Sequence, residues 1–233
     1  MSKQIRLAVA AFPGSSADEA VAALLAFPNL SVEVVTNDFP DLEAFDAVLI
    51  PPGASYGDYL RPGAIAARDR LASAITAFAR EGGYVLGTGN GFQILTELGL
   101  LPGVLRENPD GRFLSTDADV EVVAPVEGLD AGTLLRLPLA SRYGSYWCNQ
   151  ASLHRMQDDI RVLLKYTDNP NGSTGDVAAV ANWEGNVVGM MAQPTRAVDP
   201  ALGNTDGIEV LNAFLGTCKP GFKLDVTSEE SGK

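Results

Sequence analysis

Histidine is almost absent from this chain, and cysteine is scarce. His154 is the only histidine among the 233 residues, and Cys148 and Cys218 are the only cysteines. One imidazole and two widely separated thiols do not make the ligand clusters that zinc and related ions require. We therefore expect no metal site and no cofactor. We expect His154 to be an ordinary surface or loop histidine and both cysteines to be inert thiols.

Long apolar runs are also missing. No stretch reaches the roughly 18 apolar residues that a membrane-spanning helix needs, so we expect no contact with a membrane. The apolar N-terminal segment stops at Pro13 and Gly14, which makes it too short for a signal peptide and typical of a first buried strand. A cytoplasmic location is the simplest expectation.

Basic residues are outnumbered by acidic ones. The chain has 17 Lys and Arg against 29 Asp and Glu, which gives a net charge of -12. A surface this acidic repels phosphate backbones, so we do not expect a nucleic-acid partner. We attribute the acidity to solubility or to a host with an acidic proteome, rather than to an acidic docking surface.

Buried strands and helical segments alternate through the first half of the chain. Apolar periodicity predicts the following elements: strands at 5–11, 31–35, 47–50 and 84–86, and helices at 20–25, 64–80 and 92–98. The second half predicts strands at 120–123, 134–137, 162–166, 177–182 and 186–191, and a last helix at 208–215. Short links between such elements imply a parallel sheet covered on both faces. We expect one domain over residues 1–222 and a polar tail over 223–233.

Three loop segments follow predicted strands and should meet at one edge of the sheet, where ligands bind in doubly wound folds. They are residues 51–58, 87–91 and 191–196. The middle segment is typical of a nucleophile elbow, a sharp strand–turn–helix bend that projects a reactive side chain. The elbow position is Gly89, which has no side chain to project.

Several segments resemble a known family. Residues 87–103 resemble the elbow of the glutaminase subunit of phosphoribosylformylglycinamidine synthase, a class I glutamine amidotransferase. Its pattern there is Gly-Ile-Cys-Asn-Gly-Phe-Gln. The PurQ-like resemblance extends from about residue 5 to about residue 217 through further segments at 12–15, 55–66, 168–173, 185–191 and 205–207. It implies an α/β, flavodoxin-like three-layer sandwich with a mostly parallel central sheet, in agreement with the periodicity.

The chain departs from the family at each catalytic position. The catalytic cysteine aligns with Gly89, and the family's Pro-His-Pro-Glu-Arg segment places Gln193 and Thr195 where its histidine and glutamate stand. A further family histidine aligns with Ser141, and Pro52 replaces a glycine of the oxyanion loop. Without a nucleophile and a base no thioester forms, so we do not expect glutaminase activity.

The segments that line the family's pocket are better preserved. The resemblance implies that a small amide or amino acid is held by Gly53, Ser55, Tyr56, Asp58, Asn90, Phe92, Gln93 and Ser141. The alternative is that these residues persist for folding alone, with Arg61 in a surface salt bridge. Arg196 and Asp199 are expected to pair at the rim.

Three functions remain open. The first is a non-catalytic partner or regulatory subunit of a larger ATP-dependent amidating synthetase in purine or specialised nucleoside metabolism. The second is a repurposed enzyme that uses the altered pocket for another reaction. The third is a sensor for glutamine or a related amide. The family works in a complex, which ranks the partner first.

Overall fold

The computed structural model describes residues 4–218. The helices are α1 (Ala17–Leu24), α2 (Arg70–Arg80), α3 (Asn90–Glu97), α4 (Gln150–Asp158) and α5 (Asp206–Thr217). The strands are β1 (Ile5–Ala11), β2 (Leu30–Thr36), β3 (Ala47–Ile50), β4 (Tyr84–Thr88), β5 (Val104–Arg106), β6 (Leu114–Val122), β7 (Leu134–Ser141), β8 (Ser145–Trp147), β9 (Val162–Tyr166), β10 (Val177–Ala181) and β11 (Val187–Met190).

Nine of these strands form one sheet in the order β2-β1-β3-β4-β11-β10-β9-β6-β7. The pairings from β2 through β11 are parallel, and those from β11 through β7 are antiparallel. The parallel pairs β1–β2 and β3–β4 are each joined through a helix, α1 and α2 respectively, whereas short connections fold the later strands back as antiparallel neighbours. The α/β prediction with a large, mostly parallel central sheet is confirmed.

Helices cover both faces of the central strands. A β-carbon on Gly87 would lie 2.5 Å from Leu95 of α3, so this position of β4 faces α3. The preceding residue, Leu86, lines an apolar cavity together with Phe214 of α5. Because successive strand residues point to opposite faces, α3 and α5 lie on opposite sides of β4. This arrangement gives the three predicted layers.

The helix predicted over residues 64–80 is interrupted. A 3-10 turn occupies Ala66–Arg68, Asp69 is extended, and α2 begins at Arg70. The Asp69 carboxylate accepts a hydrogen bond from the hydroxyl of Tyr56, a long-range contact that apolar spacing does not reveal. The strands β5 and β8, which have three residues each, were not predicted from the sequence. Helix α4, which begins after the capping side chain of Asn149, was not predicted either.

Within residues 4–218, no helix is long and apolar enough to span a bilayer. The predicted tail at 223–233 lies outside the described residues. The assignment of residues 1–222 to one domain therefore stays a prediction.

Candidate functional site

The elbow is a sharp bend between β4 and α3. Gly89 is buried and has φ 55° and ψ −113°, a conformation that costs glycine little and other residues much more. Its amide donates to the carbonyl of Met190 on β11 at 2.8 Å. The bend is therefore held against the neighbouring strand although the position carries no side chain.

The three predicted loop segments do meet at this bend. A β-carbon on Gly89 would lie 3.2 Å from Cβ of Pro52 and 3.4 Å from Nε2 of Gln193. Pro52 follows β3 and Gln193 follows β11, so the loops after three neighbouring strands face one point. The three heavy atoms nearest to that point all belong to Pro52 and Gln193, and none to Cys148 or His154.

Gln193 is fixed rather than free to reach a substrate. It is 3% exposed, its backbone N–H donates to the carbonyl of Pro138 at 2.8 Å, and its Nε2 donates to the carbonyl of Ala140 at 3.2 Å. Thr195 is buried in the following 3-10 turn, Pro194–Arg196. A carboxamide and a hydroxyl do not exchange protons near neutral pH as an imidazole does. These two positions therefore offer no general base.

The loop that carries Pro52 is clamped onto the loop after β1. The carbonyl of Pro52 accepts from the Ser16 amide at 2.8 Å, and the Ala54 amide donates to Gly14 at 2.9 Å. The two loops approach so closely that a β-carbon on Gly53 would lie 2.6 Å from Cα of Ser15. Pro52 has no N–H, so it donates no hydrogen bond at the elbow.

A hydrogen-bonded group joins four of the predicted ligand residues. The Oδ1 atom of Asn90 accepts from the Ser55 amide at 3.0 Å, and its Nδ2 donates to Oε1 of Gln93 at 2.9 Å. The same Nδ2 lies 3.5 Å from Oδ1 of Asp58. Gln93 in turn donates to the carbonyl of Tyr143 at 2.8 Å. These polar side chains hold one another and connect the start of α3 with the loops after β3 and β7.

Tyr56 and Asp58 form the outer part of this group. Both have φ 54°. The Tyr56 hydroxyl donates to Oδ2 of Asp69 at 2.5 Å. Burial, reinforced by the Asp69 carboxylate, raises the pKa of Tyr56 to about 12. Burial also raises the pKa of Asp58 above the ordinary carboxyl value.

Phe92 lies apart from the other predicted site residues. Its side chain is buried, stacks on Tyr146 with ring centroids 6.0 Å apart, and covers Gly189 of β11. The structure thus places Phe92 in the core beneath the site, while Gly53 is exposed at its edge.

Buried polar atoms without a protein hydrogen-bond partner concentrate around this edge of the sheet. Among the residues that the structure describes, five side chains each contribute one such atom: Ser15, Ser55, Thr88, Ser141 and Gln193. The other two atoms both belong to Arg161. Buried polar atoms normally find a partner in protein or in ordered water. This group of unpartnered polar atoms therefore marks a polar site next to the elbow.

Two expected side-chain pairings have different outcomes. Arg61 does form a salt bridge, with Nε and Nη2 contacting the carboxylate of Glu97 at 2.7 and 2.6 Å. The pairing of Arg196 with Asp199 is wrong. Arg196 contacts both carboxylate oxygens of Glu19 at 2.9 Å. The Asp199 carboxylate accepts instead from the amide of Ala201 in the next turn.

The remaining candidate nucleophiles and bases lie elsewhere. Cys148 and Cys218 are buried, and burial raises the pKa of both thiols, which disfavours the reactive thiolate. His154 is exposed on α4. No cluster of three or more His, Cys, Asp or Glu side chains suited to a metal ion occurs between residues 4 and 218.

Three contributors to the site were not predicted: Asp69, Tyr143 and Asn108. Tyr143 contributes its backbone carbonyl. Every residue type has this group, so the sequence gives no indication of the role. Asn108 donates to the carbonyl of Ser141 at 3.0 Å and accepts from the Gly144 amide at 3.2 Å. The sequence gives no indication of this contact across more than 30 residues.

A central sheet flanked by helices, with an elbow at the carboxyl ends of its parallel strands, matches the class I glutamine amidotransferase fold. Comparison with known proteins agrees. The family model for the CobB/CobQ-like glutamine amidotransferase domain matches residues 4–207. The chain therefore belongs to the glutamine amidotransferase family, and within that family it is PurQ-like.

Individual relatives support this assignment. The phosphoribosylformylglycinamidine synthase subunit PurQ of a Synechococcus strain is 44% identical over 214 residues, which cover 90% of this chain and 99% of the relative. That of Thermus thermophilus is 42% identical over 226 residues, covering 92% and 98%. The structure of PurLQS from Thermotoga maritima includes a chain with a TM-score of 0.84 and 35% identity, covering 93% of this chain and 100% of that one.

Proposed function

We propose that this chain is a catalytically inactive PurQ-like subunit that acts as a non-catalytic partner of a larger synthetase in purine or specialised nucleoside metabolism. The observation that carries the proposal is the elbow itself. Gly89 keeps the bend and Gln193 faces it at 3.4 Å from the β-carbon position, but neither can attack or deprotonate an amide. A glutaminase of this class needs a nucleophile, a base and an orienting group.

The comparisons support the choice of partner. The Synechococcus and Thermus relatives are named as subunits of phosphoribosylformylglycinamidine synthase, and the Thermotoga relative belongs to a structure named PurLQS. We infer that this chain binds a PurL-like synthetase subunit, stabilising it or controlling access to its ammonia site.

The test uses the purified chain and the PurL-like subunit of the same organism. It measures whether the two proteins associate and which nitrogen source the complex consumes. We expect the two proteins to form a stable complex and the complex to consume free ammonium but not glutamine. The proposal fails if the chain and that subunit do not associate, or if the complex uses glutamine as well as it uses ammonium.

Binding of a small amide without cleavage is a second candidate. It is favoured by the unpartnered hydroxyl groups of Ser55 and Ser141, which could form hydrogen bonds with a ligand. In this proposal Ser55, Asp58, Asn90 and Gln93 form the wall of the ligand site. Calorimetry with glutamine tests it, with Ser55→Ala as the variant. If glutamine produces neither heat of binding nor a shift in the melting temperature of the wild-type protein, this second candidate function is rejected.

A further inference from the structure

An apolar cavity lies between α5 and the central sheet, on the face opposite α3. One wall is formed by Leu86 of β4 and by Val188 and Met190 of β11. The facing wall is formed by four residues of α5: Val210, Ala213, Phe214 and Thr217. Residues three, four and seven apart lie on one side of a helix, so the last two turns of α5 present a continuous apolar face to this space.

Part of the cavity is reached by solvent. Val188 lies on β11, which is a central strand between β4 and β10, and yet its side chain is only partly buried. Tyr84 and Val126 also line the cavity and are also only partly buried. Because protein interiors are normally close-packed, an apolar space over a central strand suits an apolar occupant.

The polar groups in the lining are already engaged. The Nδ2 atom of Asn186 donates to the carbonyls of Ala79 and Gly83 at 2.8 and 2.7 Å. The hydroxyl of Thr217 donates to the carbonyl of Phe214 at 2.6 Å. Sites for small metabolites combine apolar walls with polar groups that orient the ligand. This cavity therefore suits an apolar side chain better than a polar metabolite.

The chain leaves the described residues beside this cavity. Thr217 ends α5, and the buried Cys218 follows it. The next four residues are Lys-Pro-Gly-Phe, which place Phe222 shortly after the helix. Proline does not continue a helix, and the dipeptide Pro-Gly is typical of a turn. The sequence thus favours a change of chain direction immediately after the helix that forms the cavity wall.

The distance from the end of α5 allows Phe222 to reach the cavity. The four residues from Cys218 to Phe222 span at most about 13 Å when extended. The helical wall from Val210 to Thr217 is about 10 Å long, at 1.5 Å per residue. Even with a turn that shortens the span, Phe222 can therefore reach the middle of this wall.

The sequence after the turn has the pattern of a strand with one apolar side. Phe222, Leu224 and Val226 alternate with Lys223 and Asp225. In an extended chain such alternation places the apolar side chains on one side and the charged ones on the other. Residues 227–233 contain no large apolar side chain, so the apolar pattern is confined to residues 222–226.

We propose that residues 222–226 bind back onto their own chain, with the ring of Phe222 in the cavity between α5 and the sheet. Leu224 then covers the partly exposed side chains at the cavity mouth. This inference goes beyond the proposed function and does not depend on it.

The short connection favours the chain's own segment over that of a second copy. A flexible link of a few residues gives the tethered segment an effective concentration in the millimolar range at its site. A segment from another copy reaches this concentration only in very concentrated protein. The intramolecular arrangement therefore prevails in dilute solution.

Thermal unfolding of matched variants tests the contribution of Phe222. Phe222→Ala should lower the melting temperature by about 5 °C or more, because it removes a buried aromatic ring. The controls are Lys223→Ala, at the neighbouring position, and a chain that ends after Val226. Both controls should melt within about 2 °C of the wild type. Phe222→Ala should also bind the dye anilinonaphthalene sulfonate with several-fold higher fluorescence, because the apolar cavity is then open.

Methyl NMR of the full-length wild-type protein locates the ring directly. We expect nuclear Overhauser contacts between the Phe222 ring and methyl groups of Val188, Met190 or Val126. A sample mixed from two differently labelled copies should show no such contact between copies. The proposal is rejected if the ring contacts none of these methyl groups, or if the contacts arise only between copies. It is also rejected if Phe222→Ala melts together with the two controls.

Discussion

Gly89 and Gln193 face each other across the elbow, with 3.4 Å between the β-carbon position of the first residue and Nε2 of the second. The family resemblance assigns the nucleophile and the base of a glutaminase to these two positions, and the fold brings them together. Gln193 is held there by the carbonyls of Pro138 and Ala140 on β7. This relationship leads to predictions about stability, titration and recovered chemistry.

Gly89→Ala should destabilise the protein by about 1–3 kcal/mol, because alanine is strained at this φ and ψ and its β-carbon lies close to Pro52. Gly99→Ala is the control: Gly99 has φ 67° and no heavy atom within 4 Å of its β-carbon position. Urea denaturation of both variants measures the difference. Equal losses at the two positions would show that the elbow is not crowded.

Asn171→Ala should cost about 2–4 kcal/mol, because it leaves several buried groups without partners. Asn171 is fully buried, donates to the Gly144 carbonyl at 2.9 Å and accepts from the Ser173 hydroxyl at 2.7 Å. Asp168→Ala, at an exposed position of the same loop, should have little effect. Chemical denaturation measures both variants, and an Asn171→Ala variant as stable as the wild type would contradict the predicted cost of these unpartnered groups.

Tyr56 should lose its proton well above the ordinary tyrosine pKa of about 10. Its pKa is raised to about 12 by burial and by Asp69. Because the folded pKa lies above the unfolded one, the contribution of Tyr56 to stability is intact below pH 10. It is lost as the pH rises through 12. The absorbance difference between wild type and Tyr56→Phe reports the titration. A midpoint near 10 would show that the Asp69 contact is not formed.

Recovered glutaminase activity should depend on Pro52. We expect the triple variant Gly89→Cys, Gln193→His, Thr195→Glu to be at best weakly active, because Pro52 crowds the new side chain and provides no N–H. Adding Pro52→Gly should increase ammonia release by about 10²-fold, the effect of one oxyanion donor. If the triple variant is already fully active, Pro52 does not obstruct the site.

Much of the site could be predicted because its signals are local. The elbow combines a buried strand, a glycine bend and a helix within about ten residues, and the convergence of three loops follows from a parallel sheet. The family resemblance predicted that Gly89, Gln193 and Thr195 stand at the triad positions, and the structure places Gln193 against Gly89.

Other features could not be predicted because long-range contacts determine them. The helix break at Asp69 coincides with its bond to Tyr56, and Gln93 is held by a backbone carbonyl 50 residues away. Arg196 pairs with Glu19, 177 residues earlier in the chain, rather than with the nearby Asp199. The strands β5 and β8 are too short to show any periodicity.

Ammonia release from glutamine tests the central claim most directly. The purified chain is assayed alone and with the PurL-like subunit, using free ammonium in a parallel reaction to show that the synthetase is active. Our account predicts no release above the rate in buffer under either condition. Release at an ordinary enzymatic rate, on the order of one turnover per second or faster, would contradict it.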